Sequence, residues 1–229
     1  MFEFSPTDLQ AMQLSARVAF TATLVSLPFG FLMAYMLVFT KIPIKPLING
    51  LVNLPLVLPP VVVGYLLLLS LGNRSWLGEL LAGVGIHIIF TWKAAVLASM
   101  VVGFPLLVRS ICIGMEDIDE RLLQAARTLG ACRYDTLLTI ILPLSTRAII
   151  AGATLMFARS LGEFGATIIL AGNIPGVTQT IPLAIYDYTS TPGGDRMALG
   201  LCLVSIMLAL VVLLFDEGVG KGFRRRRQQ

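Results

Sequence analysis

The sequence predicts an all-α integral membrane protein with five membrane-spanning helices. Composition supplies the first reason. Of 229 residues, 56% are hydrophobic and only 13% charged, with mean hydropathy +0.86. A soluble domain carries about 25% charged residues, so this chain has too few to cover a water-facing surface. The second reason is length: several apolar runs reach the roughly 20 residues that a helix needs to cross the hydrocarbon core. The third is that no ten-residue alternating pattern suggests a β-barrel.

In chain order, the spans are expected at about residues 18–40, 46–72, 93–114, 144–172 and 197–217 within a single membrane domain covering 1–229. The first two runs carry no charge. Pro55, Pro59 and Pro60 should disturb the first half of the second and shape its helix. The third is interrupted by Arg109 near its end, and the fourth holds Arg159 and Glu163. The N-terminal segment, Met1-Phe-Glu-Phe-Ser-Pro-Thr-Asp8, is acidic and lacks the basic start of a cleaved signal peptide, so the first span should be retained.

Lys and Arg placement sets the expected orientation. With the C-terminal Lys221 and Arg224–Arg227 in the cytoplasm, alternation through five spans puts 12 cations inside and 4 outside. The inner set adds Lys41, Lys45, Arg109, Arg121, Arg127, Arg133 and Arg147; the outer set is Arg17, Arg74, Lys93 and Arg196. This asymmetry places the N-terminus outside and the C-terminus inside. It also accounts for the net charge of +4, so the basic balance gives no support to nucleic-acid binding.

The outer loops are more than linkers. Trp76, Phe90 and Trp92 suit an aromatic interface belt. Residues 173–195 read as a short interfacial helix between turns, serving either as a docking surface or as an amphipathic cap.

Several chemistries find no residues. His87 is the sole histidine, which removes His-based metal sites and Ser-His-Asp hydrolysis. Cys112, Cys132 and Cys202 are far apart and form no CxxC, so no metal or cofactor is expected. No GxxxxGK[ST] occurs: Gly220-Lys221 is followed by Gly222. The chain should not hydrolyse ATP.

Between the third and fourth spans, residues 116–143 form a charged, amphipathic stretch. Ile118, Leu122, Ala125 or Ala126, and Leu129 recur along one helix face, with Gln124 among the polar residues opposite and Gly130 ending the helix. Such a pattern fits helix-in-groove recognition by a partner, and equally an interfacial helix lying on the bilayer.

The run Gln124-Ala-Ala-x-x-x-Gly130, followed by Ile140-x-Leu-Pro143, resembles the EAA motif of ABC importer permeases. Gln124 departs from it, standing where the motif begins with Glu. The resemblance implies the type I ABC importer transmembrane fold in an inner membrane, with this segment docking into an ATP-binding subunit. Ile118, Leu122, Gln124, Ala125, Ala126, Leu129 and Gly130 are the candidate docking residues. Implied partners are two ATP-binding subunits and a periplasmic or extracellular oxyanion-binding protein. One docking segment per chain, and five helices to enclose a path, further predict a homodimer surrounded by lipid. The stretches Leu54–Tyr65, Ala158–Thr167 and Asn173–Gly176 look like the molybdate-transporting branch, with sulfate permeases as near relatives.

Arg159 and Glu163 are spaced to pair along one helix. A charge at mid-membrane costs roughly 2.5–3.5 kcal/mol on insertion scales, so both should face protein or water. With Ser160 and Thr167 they are either a translocation path for a dianion or a self-neutralising pair that fixes packing. Thr154, Ala158, Gly162 and Ala166 form a neighbouring stripe of small residues suited to close helix contact.

Overall fold

The computed structural model describes residues 4–40, 43–72, 75–85 and 87–226. Lys41, Arg74 and Arg227, three of the cations counted above, lie outside them. Every regular element among the described residues is helical.

Helix α1 (Pro6–Phe39) starts well before residue 18. Ser5 and Asp8 explain the start. The Ser5 hydroxyl accepts from the Asp8 amide at 3.3 Å, and the Asp8 carboxylate accepts from the Ser5 amide at 2.8 Å. This reciprocal capping box is followed by Pro6 at the first helical position, where its missing N–H costs nothing. At 34 residues, α1 extends about 51 Å, well beyond a hydrocarbon core of about 30 Å.

The second run is broken. Helices α2 (Lys45–Val57) and α3 (Pro60–Leu71) meet at an angle of 114°. Each proline forces the residue before it out of the helical region, and Leu58 and Pro59 have ψ values of 142° and 135°. Pro55, by contrast, is accommodated inside α2. A short helix α4 (Trp76–Gly83) then leads to α5 (Trp92–Glu116).

Helix α5 is the buried centre, packed by α1 and α8. Its Ala98, Val102, Leu107, Ile111 and Met115 are almost fully buried. After α6 (Glu120–Thr128) and the single turn α7 (Arg133–Thr136), a π-helical turn at Leu137–Ile141 runs into α8 (Leu142–Leu161). The α5–α8 seam uses Gly103, Gly114 and Gly152; a Cβ on Gly114 would sit 2.2 Å from the Ala148 methyl. Ser110 also donates to the Ala148 carbonyl across it at 3.0 Å. On α8 the fully buried positions are Ser145, Gly152, Met156 and Ser160. The stripe expected at Thr154 and Ala158 therefore faces away from the seam, two residues and roughly 200° round the helix.

The fourth run is also broken. Gly162, Glu163 and Phe164 separate α8 from α9 (Gly165–Leu170). α9 packs on α3, so the second halves of the two broken runs lie against each other. Their backbones nearly touch. A Cβ on Gly64 would come within 2.8 Å of both Cα and O of Ala166, and one on Gly165 within 3.0 Å of Pro60 Cβ.

At the end of the bundle opposite α6, helix α10 (Ile181–Thr189) closes over the start of α1. Ser15 Oγ accepts from the buried Ile181 amide at 2.8 Å, and the Tyr188 hydroxyl donates to Asp8 at 2.9 Å. Burial, followed by this bond, pushes the Tyr188 phenol above its usual range. Ala11, Ile181, Ala184 and Leu201 form a second apolar cluster, joining α1, α10 and α11 (Asp195–Arg226). Near the same end, the Arg17 guanidinium lies 4.2 Å from the Trp92 ring centroid.

The α3–α9 contact leaves no room for a methyl group. Gly64→Ala should lower stability by about 1–3 kcal/mol, as overpacking against immovable backbone does. Gly50→Ala, on α2 with nothing within 4 Å of the added carbon, should be neutral or stabilising. Thermal unfolding in detergent compares the two directly.

Candidate functional site

Two regions carry the sequence-predicted residues. The first is α6. Its start is capped by Asp119, whose carboxylate accepts from the Arg121 amide at 2.9 Å, with Glu120 in the first turn. Its end is a complete Schellman motif. The Gly130 amide donates to the Arg127 carbonyl and the Ala131 amide to the Ala126 carbonyl, both at 3.0 Å. Gly130 has φ +83°, the left-handed region, and an added Cβ would meet nothing within 4 Å. Backbone conformation, not space, thus requires glycine there.

The side chains of this segment divide by direction. Leu123 is buried against the bundle and Ala126 is half-buried. Ile118 lies before the helix and belongs to the main core, 8% exposed, so it is turned inward and not available on the outer face. Leu122, Gln124, Ala125, Leu129 and Gly130 are exposed, with Leu129 at 87%. Tyr134 and Leu138 continue the exposed apolar surface beyond the helix. Exposed leucines on this well-capped helix form an apolar surface patch.

The second region is the break between α8 and α9. Arg159 Nη1 lies 2.8 Å from Glu163 Oε2. Glu163 sits beyond the helix end instead of continuing α8, and its second oxygen accepts from the Ala166 amide at 2.9 Å. One carboxylate therefore joins the two half-helices: it neutralises a cation on α8 and takes up an N–H at the start of α9. The Glu163 side chain is 1% exposed while that of Arg159 is 31% exposed. Ser160 and Thr167 are buried, and the Ser160 hydroxyl has no hydrogen-bond partner among the described residues. Of the four candidate path residues, Arg159 keeps the most accessible surface. The Phe164 ring, next in the break, lies 5.3 Å from that of Tyr186, tying it to α10.

Among the described residues four helices, or five with the bent α2–α3 pair counted as one span, are long and apolar enough to cross a membrane, which defines a polytopic membrane protein with α6 exposed at one end. The chain matches the family described as binding-protein-dependent transport system inner membrane component over residues 26–224. It belongs to that family, the permeases of ABC importers. It is 52% identical to the molybdenum transport system permease protein ModB of Escherichia coli K12 over 96% of both chains. Identity to the protein of the same name in Haemophilus influenzae is 47%, over 97% of both. Among solved structures, a bacterial alginate ABC transporter in complex with its periplasmic protein matches with TM-score 0.76 at 16% identity, covering 96% of this chain and 80% of that one. The MetNI methionine ABC transporter matches with TM-score 0.69 at 15% identity, covering 96% and 99%. These two share the type I importer fold with this chain.

Removing Arg159 leaves a carboxylate buried without its counter-charge. Arg159→Ala should destabilise by about 2–3 kcal/mol, below the full buried-pair penalty because the arginine is partly exposed. Adding Glu163→Gln to it should restore part of that loss, since glutamine still accepts from Ala166. A double-mutant cycle in thermal unfolding reads the coupling; strict additivity would contradict a shared role.

Proposed function

We propose that the chain is the membrane-spanning subunit of an ATP-driven importer, carrying molybdate from an outer binding protein into the cytoplasm. The observation that carries this reading is the α6 surface: a helix closed at both ends that exposes Leu122, Ala125 and Leu129 and keeps Leu123 inward. Family membership supports an ATP-binding subunit as the partner for that surface, with hydrolysis on the separate subunit. The 12-to-4 cation asymmetry supports placing α6 and the C-terminus in the cytoplasm of an inner-membrane protein. Molybdate as cargo is supported by the two relatives named for molybdenum transport, each matched along nearly its whole length.

Two copies of the chain and two ATPases form the working assembly, with the path at the two-fold interface. Closing of the ATPase pair draws the two α6 helices together, and the bundles turn from inward- to outward-facing. The dianion then enters a path where Arg159 offsets its charge. Because Glu163 already neutralises that arginine, attraction stays shallow, as an ion that must leave requires. Ser160 and Thr167 lie beside it on the same broken run.

The docking role is tested by reconstituting the chain with its ATPase and binding protein in liposomes and measuring molybdate uptake. Ala125→Arg, or Gly130→Val with its strained left-handed valine, should reduce ATPase co-purification and uptake by at least about tenfold, equivalent to 1.4 kcal/mol of docking energy. Intact association and uptake in both variants would rule out docking through α6. In the same liposomes, excess sulfate should leave molybdate uptake unchanged. Equal competition would instead favour a sulfate permease, as a 34%-identical relative from Chlorokybus atmophyticus is named.

A further inference from the structure

A pocket of about 410 Å³ lies behind α6, where the helix meets the end of α1 and the turn α7. Its walls include Tyr35 and Phe39 from α1, Leu123 and Arg127 from α6, and Arg133 at the first position of α7. Both arginines line the cavity, and neither forms an ion pair with any carboxylate among the described residues. The nearby Asp135 carboxylate is engaged elsewhere, accepting from the Cys132 amide at 3.2 Å. The Tyr35 hydroxyl makes no hydrogen bond to a described residue. The cavity is therefore lined by two arginines without an ion pair, by Tyr35 and the hydroxyl-bearing Thr40 and Thr136, and by an apolar remainder.

We propose that this pocket binds a phosphate-class oxyanion, carried by an anionic phospholipid or free in solution. Two planar guanidinium forks suit the tetrahedral oxygens of such a group, and each forms paired, charge-assisted hydrogen bonds. Tyr35 and Phe39 lie near the end of a membrane-crossing helix, where a lipid phosphate resides, and their rings give the glycerol and upper acyl chain an apolar seat. The bound group ties Arg127 on the docking helix to Arg133 and to α1, and so braces α6 from behind. The surface argued above to receive the ATPase is the opposite, exposed one. Assigning the pocket to the cytoplasmic leaflet rests on the orientation proposed above; the anion site itself does not.

The test uses the full-length chain, with any co-purifying ATPase left on, in nanodiscs of phosphatidylcholine. One arm adds phosphatidylglycerol and reads lipid retained through native mass spectrometry. The other adds inorganic phosphate and reads a thermal shift. Binding in the first arm identifies the lipid as the source, and binding in the second alone identifies a free anion. Arg127→Gln combined with Arg133→Gln should weaken whichever binding is seen by about 10–100-fold, the loss of hydrogen bonds to a charged group. Arg121→Gln, a cation outside the pocket, should leave it within about twofold, the scale of a surface change. Absence of binding by the unmodified chain in both arms overturns the site without touching the transport reading. Unchanged binding in the double variant, or equal weakening by Arg121→Gln, overturns it as well.

Discussion

Inside a bilayer a backbone amide or carbonyl without a partner costs several kcal/mol, so a helix can be broken at membrane depth only where protein encloses the break. This chain breaks two of its apolar runs, at Leu58–Pro59 and at Gly162–Phe164; Glu163 in the second break is buried, while Pro59 in the first is exposed. The half-helices α3 and α9 lie so close at Gly64, Gly165 and Ala166 that no side chain separates them. Glu163 supplies what geometry alone leaves unmet, accepting an orphan amide of α9 while holding Arg159 on α8. Without that carboxylate, the Ala166 amide at the start of α9 would lose its acceptor and the partly exposed Arg159 its counter-charge.

The same arrangement separates what is fixed from what is offered outward. Glycines let α5 approach α8 closely, and Gly30 of α1 sits against the Leu107 side chain of α5. The long start of α1 is tied to α10 through Ser15, Asp8 and Tyr188. At the other end, α6 has Leu123 buried and Ala126 half-buried, a cap at each end, and Leu122 and Ala125 exposed. Short connections on either side join this helix to α5 and, through α7, to α8.

Much of this was legible in the sequence, and the misses have physical reasons. Hydropathy marks the apolar runs, but it is blind to Pro6–Arg17, where the S-x-x-D pattern at Ser5–Asp8 signalled the true start of α1. The consecutive prolines foretold a disturbance in the second run; the 114° bend depends on the packing of α3 against α9. Arg159 and Glu163 do pair, yet a four-residue spacing is equally compatible with an unbroken helix and with a turn past its end. Gly162 and Gly165 on either side of Glu163 were the available hint. Ile118 was aligned with Leu122 and Leu129 by counting through the N-cap Asp119, across which helical periodicity does not hold. Which face of α6 is buried was undecidable from pattern, since leucines occupy both.

The central claim is that the break in the fourth run is sealed within the protein by Glu163 and by α3. Amide hydrogen exchange on the nanodisc-embedded chain tests it most directly. The account predicts that amides of 165–170 exchange as slowly as those of α8, and that Glu163→Ala speeds this segment selectively. Exchange over 165–170 as fast as in the loop at 172–177, with no response to Glu163→Ala, would contradict it.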